Sequence, residues 1–381
     1  MKRIVPEARG KRGRDAGTPG SAEAAASHDL ADPSFSQALV AWQKRHGRHA
    51  LPWQQTRDAY RIWLSEIMLQ QTQVATVIPY YARFLERFPD VHALAAAPAG
   101  EVMALWAGLG YYTRARNLHR CAQAVVEQYG GEFPREVDLL AGLPGIGPST
   151  AAAIAAFAYG VRAAILDGNV KRVFCRVFGI EGFPGASQVE KQLWQRASAL
   201  LPTRDIEAYT QGLMDLGATV CTRSRPGCGA CPMQARCVAH EHGRTAELPA
   251  KKPKKTVPER STVMLVVLHK GDLLLEQRPP QGIWGGLQSL PELSRLGEES
   301  LAPEIGEIAL ALSAFGEVHT VEPLPTFTHA FTHYRLRVLP LKVMLGKRRA
   351  AAAQPAYAWQ ALSAMAGAAL PSPVRKLLER L

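Results

Sequence analysis

From Phe35 to about Gly243 the apolar positions recur with a period near 3.6, the spacing that lines one face of an α-helix. Trp63, Leu64, Ile67 and Met68 fall on one such face, and Leu193, Trp194, Ala197 and Leu201 on another. Beyond residue 260 the texture changes. Thr262–His269 is a continuous β-branched and apolar run, Asp272–Glu276 follows a Lys-Gly turn, and Tyr334–Leu339 is a further strand candidate. The patterns predict a multidomain chain with an all-α domain over residues 33–243 and an α+β domain over 261–381. Between them, residues 244–260 hold three prolines and six basic residues against two acids, which reads as a linker. Residues 1–32 start with six Lys or Arg against one Glu in the first 14 positions and continue rich in Ala, Gly, Ser and Pro. They are expected to form a disordered basic tail, with a targeting peptide or a DNA-tethering arm as the alternatives.

At 381 residues the chain can build two domains with separate cores, and its 47% hydrophobic content is that of a globular protein. No membrane span is expected: the nearest apolar stretch, 151–166, is alanine-rich and interrupted by Arg162. A net charge of +12 points to a polyanionic partner, most simply nucleic acid. Six cysteines suit a reducing compartment, and Cys121 and Cys175 stand apart from the other four.

Those four, Cys221, Cys228, Cys231 and Cys237, follow the spacing C-x6-C-x2-C-x5-C. Zinc sites usually pair two C-x2-C knuckles across a longer gap, whereas a compact asymmetric run can place one thiolate on each iron of a 4Fe-4S cube. A zinc site and a disulfide framework are the weaker alternatives. Leu143-Pro-Gly-Ile-Gly-Pro-Ser-Thr-Ala151 joins two helical patterns, the second a small-residue helix over Thr150–Tyr159. This reads as a helix-hairpin-helix in which Gly145 and Gly147 permit tight turns, so that a DNA phosphate can reach the amides at the helix start. An ordinary helix–helix turn is the alternative. Asp167, in Ile165-Leu-Asp-Gly-Asn-Val-Lys-Arg172, taken alone is an N-cap or turn residue.

Hairpin, aspartate and cysteine run, in that order, together resemble the helix-hairpin-helix DNA glycosylases that carry an iron–sulfur cluster. Trp63-Leu-Ser-Glu-Ile-Met-Leu-Gln-Gln-Thr-Gln-Val74 resembles the catalytic-glutamate helix of adenine DNA glycosylases of the MutY type. Gly108-Leu-Gly-Tyr-Tyr-Thr-Arg-Ala-Arg-Asn117, Met214-Asp-Leu-Gly-Ala218 and Cys221-Thr-Arg-Ser224 extend the match. It runs from about Phe35 through the C-terminal domain. Cleaving an N-glycosidic bond needs an acid to protonate the departing base and a negative group beside the oxocarbenium-like sugar, so two carboxylates suffice. Glu66 lies near the apolar boundary of its helix, where desolvation favours a neutral acid, whereas a glutamate taken alone is more often solvated or salt-bridged. The resemblance implies that Glu66 protonates adenine at ring nitrogen 7 and that Asp167, aided by Asn169, stabilises the sugar cation. Gln71 and Tyr111 match positions that push into the duplex as the base leaves the stack. Ser149 stands where bifunctional endonuclease III-type relatives have the lysine that forms a Schiff base and cuts the strand. A monofunctional enzyme is therefore expected, and any assistance from Ser149 itself is in doubt. Arg223 and Arg225, with Arg236, are expected to meet phosphates beside the cluster.

Gln277-Arg-Pro-Pro-Gln-Gly-Ile-Trp-Gly-Gly-Leu287 resembles the entry to a Nudix (MutT-like) fold, yet Pro291–Glu299 lacks the glutamate arrangement that holds magnesium in Nudix hydrolases. The resemblance implies that this domain recognises 8-oxoguanine, with Phe331, Thr332 and His333 standing for a Phe-Ser-His loop. Trp284 and Phe331 as ordinary core aromatics are the alternative. The implied substrate is double-stranded DNA with adenine opposite 8-oxoguanine or guanine. The implied protein is a monomer in a bacterial cytoplasm, or in a nucleus or mitochondrion if eukaryotic. The competing readings are a strand-cutting pyrimidine-lesion glycosylase, opposed by Ser149 and the Nudix-like extension, and a non-catalytic DNA sensor, opposed by Glu66 and Asp167.

Overall fold

A computed structural model describes residues 30–253, 257–279, 282–295, 303–331, 333–349 and 356–381. In chain order, the helices are α1 (Pro33–His46), α2 (Ala59–Leu69), α3 (Val74–Arg87), α4 (Val91–Ala96), α5 (Ala99–Trp106), α6 (Thr113–Tyr129), α7 (Val137–Gly142), α8 (Pro148–Tyr159), α9 (Gly168–Val177), α10 (Ser187–Ala199), α11 (Ile206–Asp215) and α12 (Val238–Glu241). A sheet region follows: β1 (Glu259–His269), β2 (Asp272–Gln277), β3 (Gln288–Ser289), β4 (Glu292–Arg295), α13 (Ile305–Ala311), β5 (Gly316–Pro323), β6 (Phe327–Ala330), β7 (Arg335–Arg348), β8 (Tyr357–Ala361) and α14 (Ser372–Leu378). Among the described residues no helix is long and apolar enough to cross a membrane.

The helical region is not one unit. Residues up to 48 group with 162–251, and residues 49–161 group with 252–381. In the first unit, α1 buries Phe35 and Leu39 completely, and the Phe35 ring lies edge-on to Phe174 at 6.0 Å and 5.5 Å from Phe178. Asp32 caps α1 by accepting from Phe35 N, and Leu30 O accepts from Arg196, so the end of the supposed tail is part of the fold. Residues 1–29 lie outside the described residues. Asp215, wholly buried on α11, accepts from Arg48 Nε at 2.7 Å, Arg48 N at 2.9 Å and Gln211 at 2.9 Å. Helix α10 stops at Ala199, so Leu201 lies beyond the face the periodicity assigned to it. Part of the expected linker packs too: Leu248 is buried and its carbonyl accepts from Arg176, while Arg244 pairs with Glu181 and Glu247.

In the second unit, α2 is central. Tyr60, Ile62, Trp63, Leu64, Ser65, Ile67 and Met68 are all buried, so the single apolar face expected from sequence is a helix enclosed on most sides. The Trp63 ring packs 5.1 Å from Phe133. The sheet runs β3-β2-β1-β7-β5, with β1 and β7 parallel and the other pairings antiparallel. Side chains alternate across β1: Met264, Val266 and Leu268 face one core together with Val374 and Leu377 of α14. Val263, Leu265 and Val267 face another with Ile308 of α13. Burial on both faces explains why the run is continuously apolar. Glu259 and Arg260, assigned to the linker by composition, already belong to β1. Strand β7 extends to Arg348, well past Leu339, because β1 pairs with it from Arg335 to Met344 and β5 pairs with the rest.

Candidate functional site

Asp58 starts α2 by accepting from Tyr60 N at 2.9 Å, which fixes the turn that leads to Glu66. Glu66 is half-buried between fully buried turns of the helix. The helix ends at Leu69, and Gln71 follows with φ of +57° and an exposed side chain. Tyr111 repeats this on the loop before α6, with φ of +50° and half of its surface exposed, whereas Tyr112 is half-buried. The left-handed conformation costs a non-glycine residue roughly 1–2 kcal/mol. Gly108 on the same loop cannot be replaced cheaply: its φ is +107°, and a Cβ there would meet the Tyr80 hydroxyl at 2.2 Å.

In the hairpin, Leu143 and Ile146 anchor the turn in the core while Gly145 and Gly147 stay exposed. The two glycines differ. Gly145 has φ of +81° and a Cβ would stand 2.7 Å from Asn117 Cβ, but Gly147 has φ of −90° and open space around it. Only the first is required by the turn. Ser149 is half-buried in the first turn of α8, behind Pro148, and the neighbouring Thr150 hydroxyl accepts from Gln70 Nε2 at 3.5 Å.

Asp167 belongs to the other unit, as N-cap of α9. Its carboxylate accepts from Val170 N at 2.8 Å and from Asn169 Nδ2 at 3.2 Å, and burial raises its pKa against these bonds. Asn169 Oδ1 accepts from Arg172, which also donates to the carbonyls of Gly217 and Cys221, both at 2.7 Å. Leu216–Val220 is a single π-turn, and a Cβ on Gly217 would stand 2.5 Å from Asn169 Cβ. Four residues on, Arg176 donates to the Cys221 thiol at 3.4 Å and to the carbonyls of Thr222 and Arg223. One helix thus carries the capping carboxylate at its start and grips the cysteine loop along its length.

Cys221, Cys228, Cys231 and Cys237 line one pocket, walled by Val173, Val177, Leu216 and Val220. Among the described residues no three His, Cys, Asp or Glu side chains close on a point as ligands of a single ion do. Burial pushes the Cys231 thiol up to about 11 and raises Cys237, against the Met233 N–H that donates to the Cys231 sulfur. Arg223 and Arg225 are exposed on this loop. Arg236 is not part of that pair: it is spent on Asp32 at 2.5 Å and Ser34 at 2.6 Å.

Near the sheet, Phe331 stacks on Tyr334 at 4.7 Å and lies 5.6 Å from Trp284, which is buried with φ of +54°. His333 is exposed, and Thr332 lies outside the described residues. Glu292–Arg295 is a strand and not part of a glutamate-rich helix. Arg114, Arg172 and Arg176 were missed by sequence reasoning. Only the i, i+4 spacing of the last two on a helix signalled a shared face.

A helical domain with a glycine hairpin, a four-cysteine loop and an appended sheet defines a class. Residues 64–199 match the HhH-GPD superfamily of base excision DNA repair proteins, and residues 262–380 match the NUDIX domain. The chain is 34% identical over 346 residues to the adenine DNA glycosylase of Buchnera aphidicola subsp. Acyrthosiphon pisum, covering 91% of this chain and 97% of that one. It is 33% identical over 403 residues to the human adenine DNA glycosylase, covering 90% and 73%. A thermostable thymine-DNA glycosylase superposes with a TM-score of 0.51 at 30% identity, over 57% of this chain and 99% of that one. The chain belongs to the adenine DNA glycosylase family.

Proposed function

We propose that this chain excises adenine opposite 8-oxoguanine or guanine in double-stranded DNA by hydrolysis, leaving an abasic site without cutting the strand. What carries the reading is likeness to adenine DNA glycosylases along nine-tenths of the chain, supported by Glu66 and Asp167 within the motifs that resemble that family. In the reaction, Glu66 gives its proton to adenine nitrogen 7, the bond between the sugar and the base breaks, and Asp167 offsets the charge on the sugar cation. Water then attacks the sugar carbon and Glu66 takes back a proton. Asn169, fixed by Arg172, orients the Asp167 carboxylate. Gln71 and Tyr111 enter the duplex where the adenine leaves it, and the exposed, strained backbone at both positions suits that part. Gly145, Gly147, Arg223 and Arg225 hold phosphates, and Phe331, Thr332 and His333 read the base opposite. Ser149, lacking an amine, forms no imine and leaves the strand intact.

The cysteine cavity fits a 4Fe-4S cluster: four soft donors ring one space, and N–H groups of Arg176 and Met233 point at two of the sulfurs. When bound, the cluster would fix the 221–237 loop and with it Arg223 and Arg225. We place the protein as a monomer in the cytoplasm on the chromosome, or in the nucleus or mitochondrion of a eukaryote. The test is single-turnover incubation with a labelled duplex holding adenine opposite 8-oxoguanine, each sample split and run with and without hot alkali. Breakage only after alkali is expected; breakage without alkali would return the strand-cutting reading.

A further inference from the structure

The two loops carrying Gln71 and Tyr111 share one fastener. Arg114, in the first turn of α6, sends Nη1 to the carbonyls of Ile67 at 3.0 Å, Met68 at 2.9 Å and Gln70 at 2.5 Å. Its Nη2 donates to Thr72 Oγ1 at 2.9 Å and, at longer range, to the carbonyls of Leu109 at 3.4 Å and Gly110 at 3.5 Å. The guanidinium carbon sits 5.2 Å from the Trp106 ring and 5.5 Å from the Tyr111 ring. Ile67 and Met68 supply last-turn carbonyls of α2, which the helix itself cannot satisfy, and Gln70 is the residue that ends it. Left-handed backbone at non-glycine residues persists only where the surroundings over-determine it, and here one planar cation bonds residues on either side of Gln71 and just before Tyr111. A lysine could not do this, because a point ammonium lacks the fork that spans two loops.

We propose that Arg114 is a positioning residue for base extrusion, clamping the 69–72 and 109–111 loops together so that Gln71 and Tyr111 meet the duplex as one preset wedge. The inference rests on the wedge roles proposed above. It goes beyond them in making the two wedges a single unit whose geometry depends on a side chain that touches no substrate.

The experiment uses the full chain: wild type, Arg114→Met, Arg114→Lys, the Gln71→Ala/Tyr111→Ala double variant, and that double variant with Arg114→Met added. Three quantities are read: single-turnover excision opposite 8-oxoguanine, fluorescence of 2-aminopurine placed beside the target adenine as it unstacks, and affinity for a duplex already holding the abasic product. Loss of wedge geometry is expected to slow excision by on the order of 10²-fold and to remove most of the fluorescence rise. Product affinity, which needs no extrusion, should change less than about threefold, since phosphate contacts dominate it. Arg114→Lys should follow Arg114→Met in direction, and it carries the comparison if the methionine variant melts early. In the double-variant background Arg114→Met should add almost nothing. Undiminished excision and fluorescence in both Arg114 variants, or a full multiplicative loss in the double background, would overturn the proposal. Wild-type excision by the double variant would instead remove the wedge reading beneath it.

Discussion

Asp167→Asn and Asp167→Ala are expected to part company, because one carboxylate performs two jobs. As a cap it accepts from Val170 N at 2.8 Å, a bond that asparagine reproduces and alanine deletes. Loss of such a cap costs about 1 kcal/mol. Asparagine forgoes the 3.2 Å bond from Asn169 Nδ2, which offsets part of its advantage by up to about 1 kcal/mol. The remaining term depends on pH. Burial raises the Asp167 pKa above its unfolded value, so the ionised carboxylate penalises the fold above the folded pKa, and that penalty vanishes once pH falls below the unfolded pKa. Asparagine carries no such penalty. Measured by urea titration, the stability of Asp167→Asn relative to wild type should therefore be most favourable near pH 8 and shift toward wild type as pH falls through the carboxylate range. Asp167→Ala should lie below Asp167→Asn throughout. Both should lose about 10²- to 10³-fold in single-turnover excision, the usual scale for removing one preorganised electrostatic group. A flat stability difference between pH 8 and pH 4 would refute the burial argument, and excision within about threefold of wild type would refute the role at the sugar.

Glu66→Gln should bind the mispaired duplex and fail to excise, as read by gel shift and alkali cleavage together; undiminished excision removes Glu66 from the chemistry. Gly145→Ala should destabilise by about 1–3 kcal/mol in denaturant titration, through positive φ and the Asn117 contact, while Gly147→Ala leaves stability within about 0.5 kcal/mol. Asp215→Asn removes the charge that Arg48 faces and should cost about 3 kcal/mol, near the low end for a broken buried pair because Arg48 keeps 29% side-chain exposure. Purified protein should contain about four irons per chain, measured by elemental analysis, and stoichiometric zinc would overturn the cluster.

The change of period at residue 260 announced the two kinds of architecture, and spacing alone made legible that Cys221–Cys237 would gather four thiols and that Leu143–Ala151 would turn between two helices. Composition misjudged residues 244–260: prolines and lysines mark a linker only when nothing nearby wants them, and Arg176 wants the Leu248 carbonyl. The division of the helices between two units was invisible because periodicity reports which face is buried and not against what. Arg114 was hidden for a related reason. Five of its six hydrogen bonds go to backbone carbonyls, which every residue has, and the Thr72 hydroxyl is a partner type too common to betray it.

Each unit is assembled from two separated stretches of chain, and this has a temporal side. During synthesis, α1 leaves the ribosome with Phe35 and Leu39 uncovered, and Phe174 and Phe178 follow more than a hundred residues later. At roughly 5–20 residues per second that interval is on the order of ten seconds. Throughout it the nascent helix offers an apolar stripe to whatever is nearby, so the demand for chaperones should centre on this early segment and ease once α9 has emerged.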